Sequence, residues 1–181
     1  MNYDAHQLLN RINFLWKNPV LAVKSLNGGD NYLSNCHGTV AHVLGVEKTF
    51  KKMVKKSEDF LSVEGRPAYA DRDLMKTFLE TNCKSVKENS RFGDIVALWS
   101  RVHRQTPDMP KMKAIEIDQM PAVKTIEHTA ILIDYKLERI FHEQETGRPF
   151  EFSTIDEYIS QWFPHSRKRG VDLFVDFYRV K

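Results

Sequence analysis

Residues 127–134 read EHTAILID, and this stretch decides the fold that the sequence predicts. Its apolar run from Ala130 to Ile133 is typical of a buried strand at the centre of a sheet. Further short runs of β-prone residues lie on both sides of it, namely GDIVALWS, KAIEID, LERIFHEQ and VDLFVDFYRV. Because these runs are short and regularly spaced along the chain, they predict the strands of an antiparallel sheet.

The part of the chain before this sheet has the apolar periodicity of helices instead. It recurs in four segments, at 4–17, 36–44, 47–62 and 71–82. One more helix is predicted after the short strand in RPFEFST, where Ser153 or Thr154 can cap it. Helices that come before a sheet, rather than alternating with its strands, predict an α+β fold.

Length and composition predict a single domain over residues 1–181. Hydrophobic residues make up 41% of the 181 residues, which is enough to form a substantial core. Within this domain we expect an N-terminal helix and loop at 1–30, a helical part at 31–90 and a sheet part at 91–181.

Charge and hydropathy argue against some classes of partner. The net charge of +3 is too small to indicate nucleic-acid binding, and no apolar stretch reaches the length of a membrane span. The first residues lack the apolar core of a secretory signal, so we expect a cytoplasmic protein or export by a route without a signal peptide. Two cysteines, with no CxxC pair, predict neither a disulfide framework nor a metal or cofactor site.

Cys36 lies at the predicted start of the second helix, within SNCHGTVAHVLG at 34–45. A thiol in the first turn of a helix is close to the positive end of the helix dipole, which favours the thiolate. The N–H groups of that turn lack partners inside the helix and can hold an oxyanion. A buried structural cysteine also fits this position, because Cys36, Val40 and Val43 share one helical face, and the segment taken alone favours that interpretation.

Two of the seven histidines are predicted to act on this thiol. A cysteine nucleophile needs an imidazole within hydrogen-bond reach and a polar group that orients the imidazole. His128 begins the apolar part of the central strand, and His142 lies in the next strand, which runs antiparallel after a turn. The two rings can therefore meet, with His128 as the base and His142, or else Gln144, as its orienting group.

His37 and His42 share the helix of the cysteine. His37 is adjacent to Cys36 and is expected to point elsewhere, while His42 lies further round and along the helix. Neither is predicted to be the base.

Three motifs in this order resemble the NlpC/P60 branch of the papain-like cysteine peptidases. They are Asn35-Cys36-His37-Gly38 at a helix start, Gly93-Asp94-Ile95-Val96 at a strand start, and His128-Thr129-Ala130-Ile131-Leu132 followed by Ile140-Phe141-His142. The resemblance covers residues 33–180 and implies a papain-like fold, in which the helix with the nucleophile packs on a small antiparallel sheet. The family often has Asp-Cys-Ser-Gly where this chain has Asn35-Cys36-His37-Gly38, so that His37 narrows the site.

The resemblance implies a role for each matching residue. Cys36 would be the nucleophile, His128 the general base and acid, and His142 the orienting residue, while Asp94 would shape the start of its strand. The implied activity is that of a hydrolase that cleaves an amide or isopeptide bond, with a peptide or amide substrate such as a peptidoglycan stem peptide.

Three alternatives remain open at this point. The same thioester chemistry fits an acyltransferase, which differs only in its acceptor, or a hydrolase that acts as a secreted effector or toxin. From a different class, a non-catalytic binding domain can keep the fold and dock through the lysine-rich segment at 47–62.

Overall fold

The computed structural model describes residues 4–25, 31–61, 66–86, 88–102, 123–144, 146–163 and 171–181. The helices are α1 (Ala5–Lys17), α2 (Cys36–Leu44), α3 (Glu47–Met53), α4 (Arg72–Asn82) and α5 (Ile155–Trp162). The strands are β1 (Val23–Ser25), β2 (Asn31–Leu33), β3 (Phe60–Leu61), β4 (Tyr69–Ala70), β5 (Cys83–Ser85), β6 (Ile95–Val102), β7 (Val123–Asp134), β8 (Arg139–Glu143), β9 (Phe150–Thr154) and β10 (Val171–Val180). The predicted strand KAIEID lies outside the described residues.

Six strands form one antiparallel sheet in the order β5-β10-β6-β7-β8-β9. The strand predicted from EHTAILID is β7, which lies inside this sheet and starts four residues earlier, at Val123. It pairs with β6 from Val123 to Ile131 and with β8 from Ile131 to Asp134. The helices and the antiparallel pairing confirm the predicted α+β class.

Different helices cover the two faces of this sheet. On one face, residues of α1, α2 and α4 such as Ile12, Val40 and Phe78 share a buried core with Ile131. On the other face, α5 packs against a smaller core that contains Val96, Leu98, Ala130, Leu132, Ile140, Ile155 and Tyr158. Successive side chains of a strand point to opposite faces, so neighbouring residues of β7 belong to different layers.

The ends of two helices follow from local sequence. Asn35 caps the start of α2, and Gly45, with a φ of 69° in the left-handed region, ends it as predicted. Helix α5 begins with the predicted capping box, in which Thr154 and Glu157 each accept a hydrogen bond from the backbone N–H of the other.

The helix predicted over residues 47–62 is shorter than expected. Helix α3 ends at Met53, and the chain continues through a 3-10 turn into β3. Phe60 pairs with Ala70 of β4, and its ring packs 5.5 Å from the ring of Phe50. The burial of Phe60 in the core thus outweighs the helical pattern of this segment.

Among the residues that the structure describes, no helix combines the length and the apolar character that a membrane crossing requires.

Candidate active site

The start of α2 is fixed by the side chain of Asn35, which is 8% exposed. Its Oδ1 accepts hydrogen bonds from the backbone N–H of Gly38 at 2.9 Å and of Ala70 at 3.1 Å, and its Nδ2 donates to the carbonyl of Ala70 at 2.8 Å. Gly38 lies so close to the loop before β4 that a Cβ at this position would overlap the carbonyl group of Ala68. The first turn of α2 therefore packs against β4 because the amide of Asn35 bonds Ala70 and because Gly38 has no side chain.

Cys36 is the first residue of α2, and its side chain is partly exposed. Burial of the sulfur raises the pKa of the thiol to about 12, a contact with the Thr129 backbone lowers it in part, and the charge of Glu143 raises it further. The thiol is therefore protonated in the resting protein. The expectation of a resting thiolate is corrected, because burial outweighs the helix dipole at this sulfur.

His37 contacts the thiol, contrary to the expectation that it points elsewhere. Its Nδ1 lies 3.6 Å from Sγ of Cys36 and 2.9 Å from Oγ1 of Thr129 on β7. Burial, together with the positive charge of Arg72, lowers the pKa of this imidazole to about 4, so the ring is neutral. In the first turn of α2, the neutral thiol of Cys36 is thus in contact with the neutral imidazole of His37.

The structure brings His128 and His142 together across β7 and β8. Nε2 of His128 lies 3.1 Å from Nδ1 of His142, and the His128 ring stacks on Tyr158 of α5 with centroids 4.1 Å apart. The other nitrogen of His142, Nε2, lies 2.8 Å from Oγ of Ser153 and 3.5 Å from Oε1 of Glu151. Burial lowers the pKa of both histidines, that of His142 to about 4, so this pair is neutral as well.

Cys36 and His128 approach one cavity from different sides of the sheet. Thr129 faces α2, where it bonds His37, whereas His128 faces α5 and stacks on Tyr158. Both Cys36 and His128 nevertheless line a cavity of about 480 Å³. The other lining residues are mostly polar: Asn35, His37, Tyr69, Asp71, Arg72, Glu127, Gln144, Thr146 and Tyr158.

Cys36 and Gln144 therefore have different neighbours from those that the sequence predicts. Within the described part of the chain, the imidazole in hydrogen-bond contact with Cys36 is that of His37. Gln144, the alternative orienting group, lines the cavity, while the ring nitrogen of His128 is bonded by His142.

Glu143 is a functional candidate that the sequence reasoning missed. Its carboxylate, with none of the residue exposed, accepts hydrogen bonds from Oγ of Ser34 and Oγ1 of Thr39, both at 2.7 Å, and from the Gly147 N–H at 2.8 Å. Burial raises the pKa of this carboxyl to about 7, although these hydrogen bonds lower it in part. The available signal was the strand period, since Glu143 is two residues from the buried Phe141 and shares its face.

Asp94 has a structural set of contacts. Its carboxylate accepts two hydrogen bonds from the Arg179 guanidinium, both at 2.7 Å, and one from the Arg91 N–H at 2.8 Å. These bonds tie the start of β6 to β10, in agreement with the expectation that Asp94 shapes the start of its strand.

No grouping of three or more His, Cys, Asp or Glu side chains suited to a metal ion is found among the described residues. No protein-family model, no curated protein and no solved structure matches this chain. The chemistry of the site therefore has to follow from its own side chains.

Proposed function

We propose that this chain is a papain-like cysteine hydrolase that cleaves an amide or isopeptide bond, with Cys36 as its nucleophile. The observation that carries the proposal is the position of Cys36 as the first residue of α2, on the wall of an open polar cavity that His37 and His128 also line. A lone buried cysteine needs neither the cavity nor the imidazoles around it.

The proposed reaction is acyl transfer through a thioester. The sulfur of Cys36 attacks the substrate carbonyl while its proton passes to an imidazole, and the carbonyl oxygen takes up the displaced electron pair. The backbone N–H groups of Cys36 and His37, at the positive end of α2, would hold this oxygen. The C–N bond then breaks as the amine receives a proton, and water hydrolyses the thioester to restore the thiol.

His128 and His142 would handle the proton of the leaving amine. His128 lines the cavity from the side opposite to α2, and its ring is held by His142 and by Tyr158. His142 is in turn held by Ser153, at 2.8 Å, so its orientation is fixed. In this proposal His128 donates to the amine and His142 orients it, as the order of the two strands predicts.

The test compares the wild-type protein with Cys36→Ala on a panel of peptide amides, isopeptides and cell-wall fragments, with products identified by mass spectrometry. Cys83→Ala is the matched control, because Cys83 is the other thiol and lies buried in β5. We expect cleavage products and an acyl adduct on Cys36 with the wild type and with the control, and neither with Cys36→Ala. Equal cleavage by Cys36→Ala would refute the proposal.

A further inference from the structure

The identity of the group that takes the thiol proton can be read from the first turn of α2. We propose that His37, and not His128, is the general base for Cys36. This inference rests on the proposed function for its reaction, but it concerns one proton transfer that can be measured separately.

The first observation is contact. Nδ1 of His37 lies 3.6 Å from Sγ of Cys36, a distance at which a thiol can donate a hydrogen bond to a ring nitrogen. Both residues belong to the same helical turn, so their relative position is set by the backbone of α2 and by the cap at Asn35. The acceptor is therefore in place before any substrate binds.

The second observation is that the His37 ring is held in this position. Only 5% of the residue is exposed, and Nδ1 also lies 2.9 Å from Oγ1 of Thr129. When the ring proton is on Nε2, the lone pair of Nδ1 is an acceptor within reach of both the thiol and the Thr129 hydroxyl. Once Nδ1 has taken that proton, it can donate to the Thr129 hydroxyl oxygen, which stabilises the imidazolium that the reaction forms.

The third observation concerns the competing imidazole. His128 is bonded through Nε2 to His142 and stacks on Tyr158, on the sheet face that α5 covers. Among the described side chains, the imidazole in contact with Sγ of Cys36 is that of His37.

The proton balance begins and ends with a neutral His37. As the C–S bond forms, the thiol proton moves to Nδ1 of His37 and the carbonyl π electrons move to oxygen. When the tetrahedral intermediate collapses, the leaving group departs with its bonding electrons and the thioester remains. The proton on Nδ1 then passes to solvent or, for an amide, to the leaving amine by way of His128, so that His37 is neutral again. In the second half, Nδ1 takes a proton from the attacking water, the C–S bond breaks, and the proton returns to the sulfur.

A suitable probe is p-nitrophenyl acetate, because p-nitrophenolate leaves without needing a proton and the acylation rate then reports the base step. The experiment uses the full chain with Cys83→Ser, and it follows p-nitrophenolate release together with acetylation of Cys36 by mass spectrometry. His37→Asn is expected to slow acetylation by about 100-fold. His42→Asn is the matched control, because His42 lies on the same helix, bonds Glu47 at 3.1 Å and is expected to leave the rate unchanged.

Two further measurements separate a base from a merely structural residue. Free imidazole should restore part of the lost rate in His37→Ala, which loss of structure alone would not allow. Thr129→Val, which keeps the shape of the side chain but removes the hydroxyl that holds the ring, should slow acetylation by roughly 10-fold. If His37→Asn does not fold, Thr129→Val decides the question, and a wild-type rate in that variant overturns the inference.

The inference and the proposed function fail in different ways. A wild-type rate of acetylation in His37→Asn, with a large loss in His128→Asn, overturns the inference and leaves the cysteine hydrolase intact. Acetylation that depends on Cys36 and His37, without cleavage of any amide, contradicts the proposed hydrolase but leaves His37 as the base.

Discussion

The amide of Asn35 gives the sharpest stability prediction, because it bonds three buried backbone groups at once. Replacement by Ala removes the N-cap of α2, which costs about 1 kcal/mol. It also leaves the N–H and C=O of Ala70 without the bonds of 3.1 and 2.8 Å that Asn35 provides. Each group left unsatisfied costs roughly 1–3 kcal/mol, so we expect Asn35→Ala to lower the free energy of unfolding by about 4 kcal/mol.

Asn35→Asp is the informative companion, because a carboxylate keeps the acceptor of the amide and removes its donor. A carboxylate keeps the acceptor for the Gly38 and Ala70 N–H groups but cannot donate to the Ala70 carbonyl, which then faces a negative oxygen. We expect Asn35→Asp to lower the free energy of unfolding by about 2 kcal/mol, which lies between the effect of Asn35→Ala and the effect of removing a helix cap alone. Thr154→Ala supplies the latter, because the cap of α5 is exposed and should cost only about 1 kcal/mol.

Urea unfolding measures this series directly. With a slope of roughly 2 kcal/mol per molar urea, Asn35→Ala should lower the midpoint by about 2 M and Thr154→Ala by about 0.5 M. Two results would refute the reasoning. One is an Asn35→Asp protein as stable as the wild type, and the other is an Asn35→Ala protein that loses no more than Thr154→Ala.

Two further predictions concern the same layer of the protein. Gly38→Ala should lower the free energy of unfolding by about 2 kcal/mol and Tm by about 6 °C. The reason is that the overlap of the new Cβ with the Ala68 carbonyl costs more than the gain in helix propensity. An unchanged melting curve would contradict this packing. The pKa of Glu143 is raised from 4.5 to about 7, so the folded protein holds this proton more tightly than the unfolded chain. That stabilisation is fully present below pH 4.5 and is lost as the pH rises through 7, a change on the order of 3 kcal/mol. Relative to Glu143→Gln, whose amide cost is constant with pH, the wild type should gain stability from pH 8 to pH 5 in urea titrations, and parallel profiles would contradict the buried carboxyl.

Local patterns were sufficient to predict several elements of the fold, although they extended α3 beyond Met53 and did not reveal the short strands β1 to β5. The bounds of α2 follow from an Asn before the helix and a Gly after it, and the capping box of α5 follows from Thr154 and Glu157. The meeting of His128 and His142 follows from two adjacent strands joined by a short turn. Each of these features depends on residues that are neighbours in the chain or in the strand order.

The side of the sheet that each site residue faces could not be predicted in the same way. Strand period places His128 with Ala130 and Leu132, and Thr129 with Ile131. Because residues 130–133 are apolar throughout, both faces are buried and the pattern does not reveal which one α2 covers. The structure shows that α2 lies on the Thr129 face of the sheet, which the sequence does not reveal. For this reason His37 contacts the thiol, whereas His128 lies on the other face against Tyr158.

Asn35 and His37 depend on each other in the first turn of α2. Thr129 can hold the His37 ring against Sγ only if the first turn of α2 stays close to β7, and the amide of Asn35 holds that turn through Gly38 and Ala70. A carboxylate at position 35 would weaken the hold on β4 and add a negative charge beside a thiol that must transfer its proton. We therefore expect Asn35→Asp to slow acetylation of Cys36 as well as destabilise the fold. An Asn35→Asp protein that is destabilised but is acetylated at the wild-type rate would contradict this account of the first turn.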